Sequence, residues 1–301
     1  MRVYFVPQSI LTNNIMTIHL AEHYGICFGV RDALALAERI ATDEPLTILG
    51  QLVHNPLARE RLEDLGVRQE ALDDAPAAVT HRVMITAHGS SDAARARWQA
   101  SGHRIEDATC PLVRRAHGQL RRLVEEGCFP VIIGKHGHVE VQGLAGDFPG
   151  AVVLETEADL AGIPERPLYG VVAQTTQPID RVLRLVVALR AGRPNSRVYF
   201  RDTVCRPTKE RQEALRKLMR EVEVVIVVGG RNSNNTRELV ETVRSVGLPA
   251  YHIERAEELR WEWFEGIEHA GITGGTSTLP ETVAQVQRRL MEMAAQFEEV
   301  H

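Results

Sequence analysis

Short runs of Val, Ile and Leu alternate along the chain with longer stretches in which apolar residues recur every three or four positions. LTILG, VMITAHG, PVIIGKHGH, AVVLE, LYGVVAQTT, VVIVVGG, PAYHIE and HAGITGG read as strands, and their near-continuous apolar character predicts burial on both faces. The stretches between them have helical period. One helix is predicted over Thr208–Glu221, with Ala214, Leu215, Leu218, Met219 and Val222 on one face. Another lies near the carboxyl terminus, where Val283, Val286, Leu290 and Met293 fall at helical steps. Thr278 and Glu281, three apart with Pro280 between them, predict a capping box at its start. Buried strands alternating with helices give a parallel α/β architecture. With no low-complexity linker, its lobes are expected to pack around something they share.

Composition narrows the class. The 301 residues, 44% hydrophobic and 25% charged, suffice for two or three lobes with cores of their own. No apolar run approaches the ~20 residues of a membrane span. MRVYFVPQSILTNN is too short and interrupted for a signal peptide, so a cytoplasmic protein is expected. The net charge of −5 argues against nucleic acid as a partner. The arginine clusters RARW and VRRAHGQLRRL have helical spacing and read as solvated faces.

The four cysteines are not closely paired, which does not describe a secreted disulfide framework and suits a reducing compartment. Cys128, in EEGCFPVII, enters an apolar strand and reads as core. Cys27, Cys110 and Cys205 sit at strand-to-helix junctions, in GICFGV, ATCPLV and DTVCRPTKERQ, 83 and 95 residues apart. That spacing points to three similar lobes contributing one thiolate each. Three thiolates can hold a zinc ion or a cubane iron–sulfur cluster, leaving one metal position open for substrate or water.

Polar residues gather at the carboxyl ends of the predicted strands, the edge at which open α/β sheets bind ligands. These are His54, His88, His136, His138, Glu140, Gln174, Thr175, Thr176, Asn232–Asn235 and Ser277. Hydroxyls and free backbone N–H groups at helix starts favour an anion, and Asn232–Thr236 and Ser277–Thr278 fit a phosphate-bearing ligand. Neither a GxxxxGK[ST] loop nor a GxGxxG after a strand occurs, so nucleotide cofactors lack support.

In this order, GICFGV, LVHNP, AHG, DATCPLV, GKHGHVEVQG, AQTT, Cys205 with Arg211-Gln212, GGRNSNNTREL and GGTST resemble the LytB/IspH family of 4-hydroxy-3-methylbut-2-enyl diphosphate reductases. The resemblance runs from about Met16 to about Val286. It implies three pseudo-symmetric parallel-sheet α/β lobes around a central [4Fe–4S] cluster held by Cys27, Cys110 and Cys205. Taken with the cysteine spacing, it divides the chain into lobes at 16–110, 111–205 and 206–301. Residues 1–15 are expected to be an extension, since Met16 stands where the family often begins. The implied reaction is reductive dehydroxylation of the allylic diphosphate to isopentenyl and dimethylallyl diphosphate, with ferredoxin or flavodoxin as electron donor. His54, His88, His138, Thr175, Ser233, Asn234, Asn235 and Ser277 would bind the substrate. Glu140, Thr175 and His138 would be catalytic, with Glu140 as proton source on the same side of an extended segment as His138.

The chain departs from the family pattern at three places. Arg206-Pro207 replaces the small residues that follow the third cysteine, Asn234 replaces a serine of the N-S-S-N loop, and Leu279 stands where proline is expected. These leave open a paralogue of the same fold and cluster with another substrate. A zinc hydrolase using the three thiolates and a cluster-based redox sensor are the remaining readings.

Overall fold

All eight apolar runs form strands, and four further strands complete three sheets. The computed structural model describes residues 16–53, 55–72 and 80–300. The expected extension, 1–15, and His54 lie outside them. The first lobe contains α1 (Phe28–Asp43), β2 (Leu46–Leu49), α2 (Pro56–Asp64), β3 (Arg68–Glu70), β4 (Arg82–Ile85), α3 (Asp92–Ala100) and β5 (Arg104–Asp107), and is preceded by β1 (Thr17–Leu20). The second contains α4 (Pro111–Glu125), β6 (Phe129–Ile133), α5 (Val139–Asp147), β7 (Val152–Leu154), β8 (Leu168–Ala173), α6 (Ile179–Gly192) and β9 (Arg197–Phe200). The third contains α7 (Arg206–Leu218), β10 (Val224–Val228), α8 (Asn234–Ser245), β11 (Ala250–Ile253), β12 (His269–Gly274) and α9 (Pro280–Val300).

The sheets are parallel and four-stranded, in the orders β3-β2-β4-β5, β7-β6-β8-β9 and β11-β10-β12-β1. The third repeats the first two only because the amino-terminal strand takes its fourth place. Thr17 pairs with His269 and Leu20 with Ile272, so the segment expected in the first lobe completes the third sheet. Each edge strand β1, β5 and β9 leads through a short loop to one of the three cysteines.

The six central strands are almost wholly buried because helices cover both faces; Val224–Val228, for example, is buried throughout. Cys128 is buried among Leu120, Leu123 and Ile132, as its setting predicted. Leu279 leaves the third lobe to enter the first-lobe core with Leu34, Ile48 and Met84, an anchor worth roughly 2 kcal/mol by burial alone.

Two local expectations are corrected. The helix predicted from Thr208 to Glu221 runs Arg206–Leu218, because Cys205 caps it and Pro207 fits its first turn. No Thr278–Glu281 capping box forms: the Thr278 hydroxyl donates to the Val228 carbonyl (2.8 Å), and Glu281 reaches Arg61 instead (3.8 Å). A buried carbonyl at the end of β10 takes the hydroxyl that the helix start would have used.

Candidate active site

Cys27, Cys110 and Cys205 are the N-cap residues of α1, α4 and α7, and none spends its side chain on a capping hydrogen bond. Their backbone N–H groups are anchored alike. Cys27 donates to Thr276 (3.0 Å), Cys110 to Ala87 (3.0 Å) and Cys205 to Thr175 (2.9 Å). Each acceptor lies two residues beyond a central strand, respectively β12, β4 and β8. The residue after each acceptor, Ser277, His88 or Thr176, lines the same cleft as the cysteines, whose empty space of about 750 Å³ is open to solvent. The threefold repeat of the fold thus becomes a threefold repeat of anchored sulfurs. At Gly29 a Cβ would lie 2.6 Å from Cys110 Sγ, so the first turn of α1 comes this close only because glycine stands there.

Burial raises the pKa of the Cys110 thiol and pushes that of Cys205 up to about 11, the Thr208 hydroxyl 3.1 Å from Cys205 Sγ opposing it only in part. Such thiols ionise at neutral pH when a metal takes the proton's place. Beside them, the buried Arg211 guanidinium donates to Gly25 O through Nε (3.1 Å) and Nη2 (2.6 Å), and to Pro207 O through Nη1 (2.9 Å). Burial lowers its pKa, while the Cys27 and Cys205 sulfurs favour its charge. Arginine remains protonated in such a setting. Arg211 therefore ties the loop before Cys27 to the helix that carries Cys205.

Among the described residues, no three His, Cys, Asp or Glu side chains are grouped closely enough to hold one metal ion. The three thiols nonetheless line one cleft, and thiolates are the ligands that zinc sites and iron–sulfur clusters share.

Glu140 is buried, with 1% exposure, and both its oxygens are engaged by one residue. Oε1 accepts from Thr175 N (2.6 Å), and the Thr175 hydroxyl donates to Oε2 (2.9 Å). Burial raises its pKa from 4.5 to about 7, against the two Thr175 bonds and His117. The expectation of an extended segment here is corrected. His138 is the N-cap of α5, its Nδ1 accepting from Glu140 N (3.2 Å), so the two side chains are set by a helix start rather than by strand alternation. The His138 and His88 rings meet edge to face, centroids 5.5 Å apart.

The start of α8 supplies the opposite wall. Ser233 caps it, accepting from Thr236 N (3.3 Å), and Asn235 Oδ1 accepts from Thr276 N (3.0 Å). Asn234, which lines the cleft, has its Nδ2 buried without a partner, a donor that a bound acceptor would satisfy.

The cleft thus brings together Cys27, Cys110, Cys205, His88, His138 and Glu140, with Thr175, Ser233, Asn234, Asn235 and Ser277. His136 is not among them; it is exposed, 3.7 Å from Asp159. Asn232 lines a separate polar groove. Arg211 was visible only as part of a motif and not as a site residue, since its partners are carbonyls distant in sequence. Of the four residues that depart from the family pattern, Pro207 and Asn234 line the cleft. The Arg206 side chain is 87% exposed and paired with Glu210 (2.6 Å), and Leu279 is core.

A profile of the LytB family, described as LytB protein, matches residues 18–291. The 4-hydroxy-3-methylbut-2-enyl diphosphate reductase of Aquifex aeolicus is 35% identical over 285 residues, covering 93% of this chain and 97% of that protein. That of Azotobacter vinelandii is 37% identical over 287 residues, covering 92% and 90%. The solved structure of the E-1-hydroxy-2-methyl-but-2-enyl-4-diphosphate reductase from Plasmodium falciparum is similar with a TM-score of 0.84 at 26% identity, covering 91% of this chain and 87% of that one. A second, described as (E)-4-hydroxy-3-methyl-but-2-enyl diphosphate reductase, the terminal enzyme of the non-mevalonate pathway, has a TM-score of 0.66 at 35% identity, covering 92% and 100%. With the profile spanning nearly the whole chain and relatives matched along almost their full length, this chain belongs to the LytB family.

Proposed function

We propose that this chain reduces 4-hydroxy-3-methylbut-2-enyl diphosphate to isopentenyl and dimethylallyl diphosphate, with a [4Fe–4S] cluster on Cys27, Cys110 and Cys205. The observation that carries the reading is the joining of three equivalently anchored cysteines and a buried, protonatable Glu140–Thr175 pair in one cleft. Overall, the substrate takes up two electrons and two protons, its C–O bond breaks, and water leaves. The cluster, when bound, supplies electrons and a Lewis-acidic iron open to the substrate.

The protein's own groups do the rest. The start of α8, with Ser233, Asn234 and Asn235, meets the diphosphate, joined by Ser277, His88 and His138 and by His54 from the motif LVHNP. Asn234 Nδ2 gains the acceptor it lacks. Phe28, Val53 and Val113 line the apolar part of the cleft, where the hydrocarbon is shielded from water. Glu140, its pKa raised by burial to about 7, can carry a proton near neutral pH and is the general acid for the departing hydroxyl, with the Thr175 hydroxyl handing that proton across. A ferredoxin- or flavodoxin-like carrier brings the electrons, and the setting is cytoplasmic, in keeping with the absence of any membrane-spanning helix among the described residues.

Electron paramagnetic resonance on dithionite-reduced, anaerobically purified protein, with and without the allylic diphosphate, together with a product assay, tests this. A cluster signal perturbed by the substrate, with both products formed, is expected. A cluster signal indifferent to it, with no product, would move the chain to the paralogue reading. A colourless zinc protein would overturn the cluster.

A further inference from the structure

We propose that the Thr208 hydroxyl tunes the reduction potential of the centre held by Cys27, Cys110 and Cys205, by donating a hydrogen bond to the Cys205 sulfur alone. The proposal rests on the reading of these three thiols as ligands of one iron–sulfur cluster.

The three cysteines are equivalent in most respects. Each is the N-cap of a helix, so each stands at the positive end of a helix dipole, and each backbone N–H is held by a carbonyl just beyond a central strand. The equivalence ends one turn into the helix. The residue three places after the cysteine is Val30 in α1, Val113 in α4 and Thr208 in α7. Valine and threonine are branched alike at Cβ and differ by a methyl against a hydroxyl. The third lobe therefore carries one donor that the other two lack. From the sequence Thr208 reads only as the start of a helix; because α7 begins at Arg206, it falls inside the first turn, against the sulfur.

Thr208 Oγ1 lies 3.1 Å from Cys205 Sγ, and the residue is 0% exposed, which keeps bulk water from the hydroxyl. Among the described residues the hydroxyl makes no other hydrogen bond. Between a thiol and a hydroxyl either group can donate, but a metal-bound thiolate has no proton to give, and the hydroxyl is then the donor. The contact favours negative charge on this sulfur. Val30 and Val113 line the cleft, and Thr208 does not. Thr208 is thus a positioning residue that acts on the chemistry through Cys205 and not through the substrate.

Reduction moves one electron from the carrier, which is oxidised, onto the iron centre, and increases the negative charge on its sulfurs. A donor to one sulfur stabilises the reduced form more than the oxidised form and so raises the potential. No bond to Thr208 forms or breaks, and its proton stays on oxygen.

The test uses anaerobically purified holoprotein with Thr208→Val, which copies the residue of the other two lobes, and Thr208→Ser, which keeps the donor. Iron and sulfide per chain are measured first. The midpoint potential then follows from titration with dithionite and mediators, read by electron paramagnetic resonance. In Thr208→Val the ratio of reduced to oxidised centre at the wild-type midpoint should fall about tenfold, a shift of about 59 mV to lower potential for a one-electron couple. Thr208→Ser should return the potential towards wild type, a rescue that a merely structural hydroxyl would not produce. Equal potentials in wild type and Thr208→Val at full iron content overturn the proposal and leave the cluster reading in place. An equal fall in Thr208→Val and Thr208→Ser assigns the shift to packing and overturns it as well. Should Thr208→Val fail to take up iron, Thr208→Ala removes the same donor with less bulk, and an unchanged potential there overturns it. Wild-type protein that holds no iron–sulfur cluster removes the reading on which the proposal rests.

Discussion

Replacing Glu140 by Gln separates the electrostatics of the site from its catalysis. The carboxyl is raised from 4.5 to about 7, chiefly by burial, so the folded chain holds this proton more tightly than the unfolded chain does. Below about pH 4.5 both states are protonated and the group contributes nothing to pH dependence. Between about 4.5 and 7 the unfolded chain has lost a proton that the folded chain keeps, and stability falls as pH rises. Above 7 the loss is complete, and it amounts to roughly 3 kcal/mol. Glutamine preserves shape and volume, and its Oε1 can still accept from Thr175 N, but it does not ionise. The unfolding free energy of Glu140→Gln relative to wild type should therefore rise by roughly 3 kcal/mol between pH 5 and 8, on the order of 5 °C in Tm for a chain of this size. Anaerobic calorimetry at four pH values measures it. Melting curves that stay parallel across that range would refute a buried carboxyl titrating near 7. The same variant should lose about 10²-fold or more in kcat, and wild-type kcat should decline on the alkaline side of pH 7.

Arg211→Met leaves the Gly25 and Pro207 carbonyls without their donor, at about 1–3 kcal/mol each, and should lower iron retained per chain as well as Tm; normal iron content would show that the clamp does not hold the cysteines together. Arg206→Ala should change stability by less than about 0.5 kcal/mol and leave KM and the cluster's midpoint potential unaltered, because the side chain points into solvent. Asn234→Ala should raise KM for the diphosphate about tenfold with little change in Tm, since the buried amide nitrogen has no protein partner to lose; an unchanged KM would remove Asn234 from the binding set.

How legible the chain was depended on how local each feature is. The eight strands read from apolar runs include every central strand, whose burial on both faces writes itself into consecutive residues. The four strands without such a run, Thr17–Leu20, Arg68–Glu70, Arg104–Asp107 and Arg197–Phe200, are all sheet edges. They are short and partly exposed, so their sequences carry polar or charged residues and no continuous apolar signal. At the site, the cysteine settings and the motif order pointed to side chains most of which the fold brings to one cleft. Arg211 was passed over because its partner Gly25 lies far from it in the sequence.

By itself, then, the sequence determined what short-range physics can write: which runs are buried on both faces, where helices begin at a cysteine or serine, and which thiols and hydroxyls are available for chemistry. It also carried the motif order that marks the family. The tertiary structure alone decided that the amino-terminal strand closes the third sheet, that Arg206 and Leu279 face away from the cleft while Pro207 and Asn234 face into it, and that burial raises the Glu140 pKa to about 7. Each of these depends on burial and on partners tens to hundreds of residues away, and neither is encoded in the neighbours of any one residue.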